Sequence, residues 1–278
     1  MRPGQASRTA QHNALFRALE RRLPRPLFDD PWARRFLRGR YRLAGALPAR
    51  AVARIIDRRW PGPRAAVCVR TRYFDDAIRA HCAEGLDQLV ILGAGFDSRP
   101  HRLPGLQRVR VFEVDHPSTQ ARKRETVGRA HGDVTYVPLD FLRERLEDAL
   151  AAAGLAPGRR TLFLWEGVTN YLDAESVDAT LRTVARLGSG LLFTYVDCAL
   201  LDGSVDFEGG ARSLEHVRAL GEPFTFGLAP AVLPEYLRER GIDLLEDLSL
   251  ADAASLYYGP IRPPVSAYYH VVQARCRG

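Results

Sequence analysis

Residues Gln88 to Leu103 read QLVILGAGFDSRPHRL, an apolar run from Leu89 to Leu92 that stops at Gly93-Ala94-Gly95. A buried strand ending at two glycines leaves bare backbone at the carboxyl edge of a sheet. A nucleotide-like ligand can lie there without meeting a Cβ. From Leu86 onward, short apolar runs alternate with helical segments. Strands are expected at Gln88–Leu92, Arg108–Val114, Val134–Pro138, Thr161–Trp165 and Gly190–Val196, with helices between them at Pro117–Ala130, Leu142–Ala153 and Ala174–Leu187. Such alternation implies an α/β fold with a mostly parallel, doubly wound sheet. After Asp197 the rhythm loosens. Leu200–Pro223 reads as an insertion carrying a helix at Gly210–Leu220, and Pro230–Arg240 reads as a further helix. Two late strands, Asp243–Ser249 and Ser266–Ala274, make a seven-stranded sheet ending in a hairpin-like antiparallel pair.

The first 85 residues read as helices instead, at Ser7–Leu23, Pro31–Leu37, Pro48–Trp60 and Arg64–Cys82, separated by prolines. One domain is expected, with residues 1–85 as an N-terminal helical cap or lid and 86–278 as the core, which holds a lid insertion at 198–230. Charge follows the same division. Residues 1–72 hold 18 Arg against four acids, a net of +14, while the other 22 basic and 29 acidic residues give −7, which together make the chain's +7. A basic segment beside an acidic body suggests an anionic substrate or partner. No apolar run reaches the roughly 18 residues of a membrane span, and MRPGQASRTAQHN has no signal-like core, so a cytoplasmic location with no membrane partner is expected. Cys68, Cys82, Cys198 and Cys276 lack metal-site spacing and read as buried free thiols; no metal is expected.

The glycine turn narrows the choice of ligand. A dinucleotide fingerprint needs a third glycine, where this chain has Ser98, and Asp97 would repel a pyrophosphate. S-adenosylmethionine has no pyrophosphate, and its sulfonium and amine suit nearby carboxylates. Acids recur at the strand ends. Asp115 closes the second strand, where a carboxylate can accept both ribose hydroxyls, or can cap the helix starting near Pro117. Asp140-Phe141 follows the third strand, placed for the adenine amino group and ring, and Glu166 ends the fourth, facing the methionine amine or sulfonium. Asn170 and Tyr171 follow on a turn over the mouth, where they could contact substrate.

Together these pieces resemble the leucine carboxyl methyltransferase family, including its bacterial branch of adenosylmethionine-dependent O-methyltransferases, some of which esterify polyketide carboxylates. The matching segments are RTRYFDD at Arg70–Asp76, LGAGFDSR at Leu92–Arg99, FEVDHPSTQARK at Phe112–Lys123, LDF at Leu139–Phe141 and WEGVTNYL at Trp165–Leu172, in the family's order. The looser DPWARRFL at Asp30–Leu37 extends the match upstream, and Phe141 and Asn170 depart from the family's usual residues. The resemblance implies a class I methyltransferase fold and S-adenosyl-L-methionine as cofactor. It implies cofactor contacts at Gly93, Gly95, Asp115, Asp140, Phe141 and Glu166, and an arginine of the Arg70/Arg72 pair, with Arg72 preferred, on the methionine carboxylate.

The expected reaction is methylation of an acidic small molecule, a carboxylate of a polyketide-type metabolite above all. A carboxylate needs no general base, and no catalytic residue is assigned. Only His101 and His116, of seven histidines, lie on the crevice motifs, as a helical surface residue and a turn residue. A phenol, or a carboxyl group on a protein or a modified tRNA base, are the alternative acceptors, and an acidic carrier protein is a candidate partner. Nucleic acid is disfavoured because the aromatic residues among the N-terminal arginines sit at core-like spacing.

Overall fold

The structure, a computed structural model, describes residues 8–128, 134–141, 143–259 and 262–277. Seven strands form one sheet in the order β3-β2-β1-β4-β5-β7-β6. They are β1 (Gln88–Leu92), β2 (Arg110–Asp115), β3 (Val134–Pro138), β4 (Thr161–Trp165), β5 (Gly190–Val196), β6 (Ile242–Ser249) and β7 (Tyr269–Cys276). Every pairing from β3 to β5 is parallel, and β7 runs antiparallel to both β5 and β6. The helices are α1 (Arg8–Glu20), α2 (Gly39–Ala44), α3 (Ala49–Arg59), α4 (Pro63–Ala83), α5 (Arg99–Arg102), α6 (Pro117–Val127), α7 (Leu146–Ala152), α8 (Ala174–Leu187), α9 (Cys198–Asp202), α10 (Gly210–Ala219), α11 (Leu233–Arg238) and α12 (Leu250–Ser255). Among the described residues no helix is long and apolar enough to cross a membrane.

The pleat explains why β1 is apolar throughout. Successive side chains point to opposite faces, so a strand covered on both sides needs no polar alternation. Leu89 and Ile91 join a core shared with Val69, Phe74 and Ile78 of α4 and Leu250 of α12. Val90 and Leu92 join the opposite core with Val177, Leu181 and Val184 of α8 and Leu237 of α11. α4, inside the segment read as a cap, therefore covers one face of the sheet. A third cluster packs α1 and α3 with Trp32, Phe36 and Phe96.

Several boundaries differ from expectation. β2 starts at Arg110 because Leu106–Arg108 form a 3-10 turn, and Ala33–Phe36 is likewise 3-10. The helix expected over Pro230–Arg240 is a 3-10 turn at Pro230–Val232 followed by α11. β6 and β7 are not joined as a hairpin, since α12 lies between them and β7 inserts beside β5. The expected helix ends at Ser7, Ala130 and Leu142 fall outside the described residues. All four cysteines are free thiols, with Cys68 and Cys276 buried but Cys82 and Cys198 partly exposed.

Buried ions tie the cap to the sheet. Arg17 of α1 donates to Asp30 at 2.9 Å and to the Phe96 carbonyl at 2.6 Å. Asp30 also accepts from Ser98 Oγ at 2.7 Å and from the Trp32 and Ala33 amides. Burial opposes charge on Asp30, but Arg17, Arg102 and Ser98 outweigh it and hold the carboxyl below its ordinary value of 3.8. As pH falls below that value, the unfolded chain takes up the proton first. The stabilisation from Asp30 is therefore complete above the unfolded pKa and is lost as pH drops through the folded one. Thermal melts of Asp30→Asn and the parent chain should keep a constant gap above about pH 5 and draw together as pH falls below about 4. A gap that stays constant below about pH 4 as well would refute the assignment.

Candidate active site

The strand order reverses between β1 and β4, and in such sheets ligands bind beyond the carboxyl ends at that reversal. A cavity of about 340 Å³ opens there. Gly93 and Gly95 line it, both with positive φ (64° and 49°). At Gly93 a Cβ would come 2.4 Å from a Val168 methyl, so this position requires glycine for packing as well as for φ.

Asp115 lines the cavity from the end of β2. It accepts from the Gly95 amide and, at 2.6 Å, from the His116 amide. Burial raises its pKa, and these two amides offset the rise only in part. The helix-cap alternative falls to its neighbour: His116 Nδ1 accepts from Ser118 N at 3.3 Å and caps α6. Asp140 and Phe141 line the same cavity after β3, with Phe141 packed against the core that holds Val90 and Leu92.

Glu166, at the end of β4, is already embraced. Its two oxygens accept from Arg70 Nε and Arg99 Nη1, each at 2.8 Å. Burial works against its charge, but Arg99 and Arg70 prevail and keep it ionised below the usual range. Arg99 also donates to Asp75 at 2.8 Å, and Arg102 grips Asp75 at 2.6 and 2.9 Å. The cavity wall is thus a chain of alternating charges running from α4 through the glycine loop to β4.

The arginine preference needs correcting. Arg70 lines the cavity and Arg72 does not. Arg72 is bound to Asp76 at 2.7 Å and to the Leu27 carbonyl at 2.7 Å, and lies over the Tyr257 ring. Two residues along a helix turn the side chain by about 200°, so only one of the pair can face the crevice. Asn170 is corrected too. It is fully buried, its side chain accepts from Tyr269 OH at 2.8 Å, and its carbonyl accepts from the Thr225 amide. It fastens β7 and the 225 segment beneath the site and does not line the cavity. Tyr171 does line it, and burial pushes its pKa up to about 12.

A second, smaller cavity of about 60 Å³ adjoins the first. Thr9, Asn13, Arg70, Gly167 and Tyr171 line both, so they form the shared mouth. The smaller cavity also brings in His12 and His216, whose rings lie 5.0 Å apart. The sequence reading placed no histidine here; His101 instead packs its ring 5.2 Å from Trp32. His12 and His216 carry no local motif, and only the packing of α10 against α1 makes them neighbours.

The family profile described as leucine carboxyl methyltransferase matches residues 10–185, which takes in the cap, the glycine loop and the acids at the ends of β2, β3 and β4. The chain belongs to that family. A Mycolicibacterium gilvum protein named for S-adenosyl-L-methionine-dependent methyltransferase activity is 36% identical, covering 92% of this chain and 78% of its own. A similarly named Frankia alni protein is 38% identical over 72% of each chain. A solved Thermobifida fusca structure named as a methyltransferase superposes with a TM-score of 0.62 at 15% identity, covering 100% of this chain and 97% of its own, which supports the fold alone. This family member is an S-adenosylmethionine-dependent methyltransferase with the class I α/β fold. The cavity suits that cofactor chemically: its wall holds both carboxylates (Asp97, Asp115, Asp140, Glu166 and Glu222), which suit a sulfonium and an amine, and arginines (Arg17, Arg70, Arg99 and Arg102), which suit a carboxylate.

Proposed function

We propose that the chain methylates an oxygen of a small acidic molecule, a carboxylate in the first place, giving a methyl ester. The observation that carries this is the division of charge between the two cavities. The larger has five carboxylates and four arginines, Arg17, Arg70, Arg99 and Arg102, in its wall, and the smaller has no carboxylate. Arg70 is the only charged side chain in the smaller wall. An anion can enter without repulsion, whereas a cationic amine would find no counter-charge. The family resemblance favours a metabolite of the polyketide type.

In this reading Asp115 holds the ribose hydroxyls, Asp140 and Phe141 the adenine, and Arg70 the methionine carboxylate. Bound there, the cofactor supplies an electrophilic methyl group. The chain's remaining task is to aim an oxygen at it, to within about 3–3.5 Å and in line. Tyr171, kept protonated by burial, is a donor at the shared mouth that can orient that oxygen. A carboxylate arrives ionised and needs no base. A phenol needs a proton acceptor, and His12 and His216 in the smaller wall keep that second reading open. Three arginines of the basic amino-terminal segment, Arg17, Arg64 and Arg70, are buried in ion pairs, which favours a small-molecule partner over RNA.

Incubation with labelled cofactor and a panel of carboxylic acids, phenols and amines should yield a base-labile methyl ester. Methylation confined to amines would overturn the proposal. Closure of the site is testable separately. The Thr9 amide and hydroxyl both donate to Glu222, joining the first turn of α1 to the segment after α10 across the larger cavity. Glu222→Ala should speed release of adenosylhomocysteine by roughly tenfold, the worth of one or two such bonds. An unaltered dissociation rate in stopped-flow would show that this contact closes nothing.

A further inference from the structure

We propose that the smaller cavity is the acceptor site and takes a single-ring aromatic acid, its ring against Trp60 and Phe224 and its acidic group at the shared mouth beside Tyr171. This rests on the methyltransferase reading above and goes on to name the class of acceptor.

The wall is dominated by rings. Phe16, Trp60, Tyr171, Phe224, Tyr268 and Tyr269 all line the smaller cavity. They brace one another, with Tyr171–Phe224 at 5.5 Å, Phe224–Tyr269 at 6.1 Å and Phe16–Trp60 at 6.3 Å between centroids. Trp60 also lies 4.1 Å from the His216 ring. Edge-to-face and offset contacts with such a wall favour a π-system over a saturated chain of equal size.

The wall is also pre-set. Ser213 of α10 is buried and accepts from Trp60 Nε1 at 2.9 Å and from Tyr268 OH at 2.7 Å. One hydroxyl thus fixes two rings drawn from the end of α3 and the start of β7. Rings held in place before binding lose little entropy when a ligand arrives.

Size and charge complete the argument. The volume, about 60 Å³, is well below the roughly 150 Å³ of an engineered cavity that admits benzene. One ring is accommodated by extending into the shared mouth, and a second fused ring has no room further inward. The mouth is where Tyr171 stands, and it is the side that opens on the cofactor cavity. A ring seated inward therefore leaves its acidic group outward, toward the methyl donor.

The test is calorimetry on the whole chain saturated with adenosylhomocysteine, titrated with benzoate, cyclohexanecarboxylate, 1-naphthoate and benzylamine. Benzoate should bind about tenfold more tightly than cyclohexanecarboxylate, the effect of one or two ring–ring contacts. Naphthoate should bind more weakly than benzoate, and benzylamine not at all. Trp60→Leu should abolish the aromatic preference while leaving adenosylhomocysteine affinity unchanged, since Trp60 lines only the smaller cavity. Phe224→Leu provides the same comparison if Trp60→Leu fails to fold. Equal affinity for benzoate and its saturated counterpart, or no binding of either, overturns the proposal while leaving the methyltransferase reading intact. Failure of adenosylhomocysteine itself to bind overturns both.

Discussion

Replacing Asp115 by alanine should weaken adenosylhomocysteine binding by roughly a hundredfold to ten-thousandfold. A carboxylate accepting two ribose hydroxyls makes two charged hydrogen bonds, each worth about 1.5–3 kcal/mol, and every 1.4 kcal/mol is about tenfold in affinity. Asp115 suits that role because burial leaves it under-stabilised as an anion, the amides of Gly95 and His116 and the nearby charge of Lys123 offsetting the loss of water only in part. Asp115→Asn separates the parts of the effect. It keeps one acceptor for the Gly95 amide and so preserves the loop, but lacks the charge and the second acceptor. Its affinity should fall between those of the parent and the alanine variant. Calorimetry with adenosylhomocysteine at fixed salt measures all three. Equal dissociation constants across the series would remove Asp115 from the cofactor site, and with it the ribose assignment.

The parts of this site that could be read from the sequence are those in which one short segment carries both the fold signal and the chemistry. β1, β4 and β5 have the expected limits because strands buried on both faces are mainly apolar runs with sharp ends, and the half-buried edge strand β3 keeps its expected limits too. Asp115, Asp140 and Glu166 are each at or just beyond such an end, so locating the strand located the acid. Arg70 and Arg72 show where this stops. Both stand in one helix, and α4 is buried over most of its circumference, so hydrophobic periodicity does not mark the face that meets the crevice. Asn170 was misplaced for a related reason. Its turn was correctly set above the sheet, but its partner, Tyr269, lies 99 residues away. The smaller cavity was legible only at its mouth, where Arg70, Gly167 and Tyr171 belong to recognisable segments. The rest of its wall is drawn from α1, the end of α3, α10 and the approach to β7, and none of these segments alone carries a motif. Long-range packing made that site, whereas local pattern made the cofactor site.

The same contrast bears on stability, and the largest loss is expected at a residue that does not line either cavity. Asp75 is fully buried in α4 and accepts from Arg99 at 2.8 Å and from Arg102 at 2.6 and 2.9 Å. Asp75→Ala leaves two guanidinium groups buried beside a void. Removing one partner of a buried ion pair costs about 3–5 kcal/mol, because the remaining charge stays desolvated. For a chain of this size that corresponds to a fall in melting temperature on the order of 10 °C. A second substitution should recover part of it: Asp75→Ala combined with Arg102→Met removes one of the stranded charges, and the pair should couple strongly in a double-mutant cycle. Binding should suffer as well, although Asp75 touches no ligand. Arg99 is held between Asp75 and Glu166, and without Asp75 it is drawn toward Asp97 and Glu166, which shifts the carboxylate that faces the methionine end of the cofactor. Adenosylhomocysteine affinity measured well below the melting transition should therefore drop in Asp75→Ala and return in part in Asp75→Asn, which keeps an acceptor for Arg99. A variant that melts like the parent would show that Arg99 and Arg102 draw their compensation from Asp30, Asp97 and Glu166 alone, and that the cap and the cofactor site are held together without Asp75.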